Sequence, residues 1–303
     1  MEFIDVVELF TQIDAAIEQS EPARALRLIL NNFSKMPDAA PLRERIAEIL
    51  ADNEYDERAI EIYDRVGLHY ANTGHPTRAI SVARQIDRLG GDPSGLVDRF
   101  IALYNVRSPF LDGQRRHATF EAPDEPLDLS TDGLDIPNDG LADAASSQAL
   151  DTGFIASEPD EELPPIPLLS QLPSETLERV IHAVERRRFG DVVPVIDPST
   201  SGGELIWTIT GDLTIGQKDP TYRLPPGTLL GLNAFGPSPQ PAAQTVVARN
   251  GSEILSLPAE AIEALTNQFD DFGNRLNNLK RHAFTESLLE NHGIFEAVPK
   301  DER

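Results

Sequence analysis

Apolar residues in the first third of the chain recur with the period of an α-helix. Their spacing of three and four residues is typical of helices that pack one face on a core. Prolines fall at or near the breaks between these stripes, where proline suits the first turn of the next helix. The pattern predicts helical hairpins joined by short turns up to about Tyr104. The first stripe consists of Phe3, Val6, Val7, Phe10, Ile13 and Ile17, and the prolines are Pro22, Pro41, Pro76 and Pro93.

The apolar period changes from 3.6 to 2 in the last third of the chain. An amphipathic helix is predicted within Leu168–Arg188, with Ser174 as its N-cap. Short strands separated by glycine-containing turns follow, and strands this short and regular indicate a sandwich or a barrel. The predicted strands are Val192–Ile196, Leu205–Thr210, Leu213–Ile215, Tyr222–Leu224, Thr245–Ala248 and Glu253–Leu257; helices resume at Ala259–Leu265 and about Asp270–Leu289.

The middle of the chain is acidic and poor in apolar residues. No Lys or Arg occurs from Ala118 to Glu178, and the sequence LPPIP at Leu163–Pro167 indicates an extended spacer. Such a composition buries too little apolar surface to offset the entropy of ordering, so residues 118–163 are predicted to be a disordered linker. Two acidic and apolar islands, at 132–139 and 148–156, are either docking peptides or plain linker.

Charge and composition narrow the functional classes. The chain has 26 basic and 50 acidic residues, a net charge of −24, which disfavours nucleic acids and anionic membrane surfaces as partners. It has no cysteine, and its six histidines have no metal-ligand spacing. No catalytic motif occurs. We therefore expect a soluble cytoplasmic protein without catalytic residues or a metal site.

Residues 59–93 resemble a tetratricopeptide repeat. Gly67 and Ala79 are the small residues that let two helices approach closely, and Tyr63 and Tyr70 fill the space beside them. The pattern departs from the repeat at Ala83, where an aromatic residue is usual. The resemblance implies a concave face that binds a protein partner, with Tyr63, Tyr70 and Arg78 as candidate contacts. The alternative is a generic helical bundle.

Residues 167–281 resemble the cyclic-nucleotide-binding domain. The sequence GELIWTITGDLTIG at 203–216 is similar to the central strand pair of that family. YRLPPGTLLG is similar to the strand and turn that enter the ligand cassette, and AQTVVA to the strand that leaves it. The resemblance implies a β-roll with flanking helices.

The ligand cassette departs from the family at its two charged positions. In members that bind cyclic AMP or GMP, a Glu accepts a hydrogen bond from the ribose and an Arg pairs with the cyclic phosphate. Here Leu232 stands at the Glu position and Ala242 at the Arg position. Arg249, Arg223 and Lys218 are the nearest cations that could substitute. The positions equivalent to ligand contacts are Gly231, Leu232, Asn233, Ala242, Ala243 and Thr245.

The sequence as a whole predicts an α+β protein with several domains. A tetratricopeptide-like helical domain spans 1–117, the linker spans 118–163, a cyclic-nucleotide-binding-like roll spans 164–285, and a terminal helix or tail spans 286–303. The expected function is a non-enzymatic adaptor that binds a protein partner through its helices. No cofactor is expected, and the C-terminal helix is a candidate homodimer contact. The alternative is a genuine cyclic-nucleotide or small-ligand receptor that regulates a partner.

Overall fold

The computed structural model describes residues 2–36, 38–121, 123, 125–131, 134–151, 158–196, 203–211, 213–215, 222–235, 245–249 and 251–291. The chain forms two compact units. The helical unit comprises residues 1–104 and 108–165, and the roll unit comprises residues 105–107 and 166–303. With helices in one unit and antiparallel sheets in the other, the chain has the predicted α+β layout.

The described residues of the first part of the helical unit form six α-helices. Neighbouring helices pack on each other along the chain, and α4 also packs on α6. The predicted helical hairpins are therefore present, whereas descent from a tetratricopeptide repeat stays a prediction. The helices are α1 (Glu2–Glu18), α2 (Pro22–Asn32), α3 (Ala40–Asp52), α4 (Asp56–Asn72), α5 (Pro76–Arg88) and α6 (Ser94–Tyr104).

Gly67 explains how closely three of these helices pack. A Cβ atom added to this glycine of α4 would run into the side chain of Leu96 on α6. It would also lie 3.1 Å from Val82 Cγ1 on α5. The small residue at this position thus lets α5 and α6 approach α4, which is the role that the sequence predicted for it.

The acidic middle of the chain packs on these helices. A seventh helix, α7 (Leu141–Ala149), contacts α2, α3 and α4 and buries Leu141, Ala145 and Ala149. We call residues 125–131 and 134–151 the docked segment. This arrangement differs from the predicted disorder, because side chains of the helices donate hydrogen bonds to the segment and α7 buries its apolar side chains against them.

Among the described residues of the roll unit, two antiparallel four-stranded sheets form the core. Their strand orders are β1-β8-β3-β6 and β2-β7-β4-β5. A helix precedes them and two helices follow, as the sequence predicted. The elements are α8 (Ser174–Ala183), β1 (Glu185–Phe189), β2 (Val193–Ile196), β3 (Glu204–Thr210), β4 (Leu213–Ile215), β5 (Tyr222–Arg223), β6 (Leu229–Leu230), β7 (Val246–Ala248), β8 (Ser252–Pro258), α9 (Ala259–Gln268) and α10 (Asp270–Asn291).

The helix predicted within Leu168–Arg188 ends at Ala183, and β1 follows it as a strand that the sequence did not predict. Arg186 and Arg188 of β1 both approach Oε1 of Glu253 on β8, at 3.1 and 3.7 Å. Glu253 is 1% exposed. The strand therefore contributes charges to a buried ion-pair cluster, a pattern that apolar periodicity cannot detect.

The roll has an apolar interior. Ile206, Leu213, Val246, Ala248 and Ile254 form a buried cluster, and partly buried apolar side chains pack against it. None of the helices in the described part of the chain is long and apolar enough to cross a membrane.

Candidate functional site

The cassette turn follows β6 and depends on the backbone of Gly231. This residue has a φ of +88°, and a short 3-10 helix at Leu232–Ala234 follows it. A Cβ atom at this position would collide with the carbonyl group of Glu204 on β3. The glycine is therefore required twice, for the left-handed conformation and for the close approach of two strands. These needs belong to the fold and would exist without any ligand.

Apolar side chains line the interior next to the cassette. Leu230, which directly precedes Gly231, packs against the buried cluster together with Ile215. Leu232 is partly buried, and Thr245 is 9% exposed before β7 begins. Asn233 belongs to the 3-10 turn, while Ala242 and Ala243 lie outside the described residues. An anion buried here without paired donors would cost several kcal/mol.

The structure describes two of the three cations that the sequence suggested as substitutes for the missing Arg. Arg223 is exposed and donates from Nη2 to the Gly211 carbonyl oxygen at 3.3 Å. Arg249 is exposed as well, and Lys218 lies outside the described residues.

A fourth cation approaches the cassette turn from α10, where sequence reasoning missed it. The ammonium group of Lys280 lies 5.9 Å from the ring centroid of Phe235, and partial burial lowers its pKa. Phe235 follows the 3-10 helix, but Lys280 is 45 residues further along the chain. Only the packing of α10 on the turn brings the two together.

The candidate partner contacts of the helical unit are mostly covered by the protein itself. Tyr63 is buried, and Tyr70 donates its hydroxyl proton to Oε2 of Glu44 at 2.9 Å. Arg78 Nη1 donates to the same oxygen at 2.9 Å. Burial raises the pKa of Tyr70 well above its usual value, and the Glu44 charge raises it further. The tyrosine hydroxyl therefore remains protonated and acts as a donor.

Phe120 covers this cluster. Its ring stacks on His75 with centroids 4.3 Å apart, and the Arg78 guanidinium lies 4.9 Å from its centroid. Tyr70 is the third ring of the group, with its centroid 6.1 Å from that of Phe120. The aromatic face that the sequence assigned to a partner is thus occupied by a residue of the same chain.

Acid is expected to destabilise the helical unit through His75. Burial, together with the nearby Arg78 charge, lowers the pKa of His75 to about 3. Above about pH 6.5 the histidine is neutral in both states and has no effect. Between pH 6.5 and 3 only the unfolded state takes up the proton, so stability falls as the pH falls. At pH 4.5 the loss should be about 2–3 kcal/mol, measured by urea unfolding.

The matched control for this loss is His75→Phe. Phenylalanine keeps a ring against Phe120 but does not titrate. Asp38 and His117 also have lowered pKa values, and they destabilise the protein in acid in the same direction. The difference between wild type and variant isolates His75. Parallel pH profiles for the two proteins would contradict the prediction.

Comparisons with known proteins find similarity to solved structures. The similar structures include the catabolite activator protein of Thermus thermophilus. It has 22% identity and a TM-score of 0.35, covering 41% of this chain and 61% of that chain. A cyclic nucleotide-binding domain from Methylobacillus flagellatus has 17% identity and a TM-score of 0.33, covering 40% and 73%. The N-terminal domain of a transcriptional regulator from Streptomyces coelicolor has 15% identity and a TM-score of 0.35, covering 43% and 95%.

The similarity lies in the C-terminal region. This chain spans about three fifths of the Thermus protein. No protein-family model matches the sequence, and no curated protein matches it either. Similarities of this size carry no argument about function, which depends on the residues of the site.

Proposed function

We propose that the protein is a non-enzymatic regulatory adaptor. Its helical unit binds a protein partner. Its roll unit is a cyclic-nucleotide-binding-like domain that does not recognise cyclic AMP or GMP in the usual way. The apolar interior beside the cassette turn is the observation on which this proposal depends, with Leu232 at the position of the ribose-binding carboxylate.

The energetics of a cyclic nucleotide favour this view. A hydrogen bond to a charged group contributes about 1.5–3 kcal/mol, and the cassette replaces two such groups with leucine and alanine. Because each 1.4 kcal/mol is a factor of ten, losing both weakens binding by about a hundredfold or more. A ligand that a complete cassette binds at micromolar concentration would then bind at submillimolar concentration or more weakly.

Calorimetry on the full chain tests the proposal. Cyclic AMP, cyclic GMP and cyclic dinucleotides are titrated in turn, and we expect no binding tighter than about 100 μM. Micromolar binding of any of them would contradict the proposal and favour a true receptor. In that case Lys280→Ala identifies the phosphate partner, since Lys280 lies beside the cassette turn. Arg223→Ala is the matched control, because Arg223 is exposed and bonds to a backbone carbonyl.

A further inference from the structure

One face of the helical unit is built to hold an extended chain. Side-chain donors from α2 to α4 end on main-chain carbonyl oxygens of the docked segment, and we call these residues the donor face. Arg27 donates to two of these carbonyl oxygens, that of Leu134 at 3.0 Å and that of Ile136 at 2.6 Å. The other contacts run from Asn31 to Ser130 (3.1 Å), Asn32 to Asp128 (2.6 Å), Lys35 to Pro126 (3.2 Å), Arg43 to Ala149 (3.1 Å) and Arg65 to Leu150 (2.8 Å).

The side chain of Asn32 binds the main chain of Asp128 in the docked segment. Its Nδ2 donates to the Asp128 carbonyl oxygen at 2.6 Å, and the Asp128 N–H donates back to Asn32 Oδ1 at 2.6 Å. The side chain is fully buried, and its Nδ2 also donates to the Leu28 carbonyl within α2. Such a pair of hydrogen bonds involves only main-chain atoms of the bound residue, as in a β-sheet, so it does not depend on which side chain that residue has.

Charge complements these backbone contacts. Residues 125–151 contain seven acidic residues and no basic one, whereas four of the six donor-face residues are Arg or Lys. Arg58 of α4 adds an ion pair with Asp143 of α7. The face therefore fits an acidic peptide that is extended at first and then forms a short helix.

We propose that the donor face is a peptide-binding site, and that the docked segment is its internal ligand, which an acidic peptide of a partner protein displaces. This inference rests on the proposed adaptor function. It specifies the donor face as the binding surface, an acidic peptide as the class of partner, and the docked segment as the element that regulates binding. Displacement is feasible because the contacts are mainly to backbone carbonyls, which any extended peptide offers. The segment also gains little from its own helix, because nine residues are too few for a stable helix in water.

The first experiment uses amide hydrogen exchange of α7 in the full chain to measure how much of the time the docked segment is bound to the donor face. Since an isolated helix of this length is not protected, its protection reports docking. We expect protection in wild type and exchange about tenfold faster or more in Arg27→Ala, which loses both carbonyl contacts. Arg24→Ala is the matched control on the same helix, because Arg24 is exposed and pairs only locally with Glu21. Unprotected α7 amides in wild type would overturn the proposal.

The second experiment measures binding in trans with a labelled synthetic peptide of residues 125–151. Asp128→Pro removes the N–H that Asn32 accepts and leaves the donor face intact. We expect the Asp128→Pro chain to bind the peptide about tenfold tighter or more than wild type, and a double variant with Arg27→Ala to lose the gain. Asp128→Ala keeps the N–H and should behave like wild type.

The outcomes separate this proposal from the proposed function. Equal and weak peptide binding by wild type and by Asp128→Pro, with α7 released in the variant, would show that the face takes no peptide in trans. That result would overturn the inference and leave the nucleotide calorimetry unaffected. Dimers of Asp128→Pro that the free peptide dissociates would support it, because the released segment would then occupy the face of a second copy.

Discussion

Glu44→Leu is expected to lower the free energy of unfolding of the helical unit by about 3–5 kcal/mol. Glu44 is 4% exposed, and its Oε2 accepts hydrogen bonds from both Tyr70 and Arg78. Leucine fills the volume but leaves the guanidinium and the hydroxyl without their carboxylate. Removing one partner of a buried ion pair is costly because the remaining charge keeps its desolvation penalty. Urea unfolding followed by circular dichroism measures the change.

Two controls bracket this result. Glu44→Gln keeps an acceptor oxygen and should lose only about 1–2 kcal/mol, the difference between a charged and a neutral hydrogen bond. Glu61→Ala removes an exposed partner of Arg65 on α4 and should cost less than about 0.5 kcal/mol. If Glu44→Leu were as mild as Glu61→Ala, the buried cluster would not contribute to stability as described.

Trp207→Ala is expected to destabilise the roll unit by about 3–5 kcal/mol. Trp207 is fully buried in β3, and its Nε1 donates to the Pro167 carbonyl oxygen at 3.0 Å. The substitution removes the large ring, leaves a cavity and breaks the link from β3 to the segment before α8. Because this is the only tryptophan, circular dichroism has to replace fluorescence as the probe of urea unfolding.

Trp207→Phe divides this effect into its two causes. Phenylalanine keeps most of the packing and loses the N–H donor, so it should cost about 1–2 kcal/mol. A loss in Trp207→Phe as large as that in Trp207→Ala would mean that the hydrogen bond, and not the buried ring, provides the stabilisation.

The sequence predicted the elements that have an apolar face. The helices up to Tyr104 and most of the short strands follow the periodicity of their buried residues. Strand β1 was missed because its alternate residues are arginines that pair with Glu253. Strand β6 has only two residues, too few to show a period.

The docked segment was mispredicted for a different reason. Its composition reflects only its own residues, whereas its partners Arg27 and Asn32 lie about a hundred residues earlier in the chain. No local pattern reports such contacts. For the cassette, the sequence alone identified Gly231 and Leu232. The Glu204 carbonyl beside Gly231 and Lys280 beside Phe235 become apparent only from the fold.

The predicted homodimer through the C-terminal helix stays a prediction. Phe272 and Leu276 of α10 are buried within their own chain, so part of its apolar face is already used. The side chains of Phe284 and Leu288 lie outside the described residues, as do residues 292–303.

Thermal unfolding of the full chain with cyclic AMP or GMP tests the central claim most directly. Trp207 fluorescence reports the roll unit, because this sole tryptophan is buried there. A ligand with a Kd of about 1 μM, supplied at about 1 mM, would stabilise the unit by about 4 kcal/mol and raise its midpoint by roughly 10 °C. With Leu232 and Ala242 at the two charged positions of the cassette, binding at about 100 μM or more weakly would raise the midpoint by no more than about 4 °C, and a rise of roughly 10 °C would contradict the account.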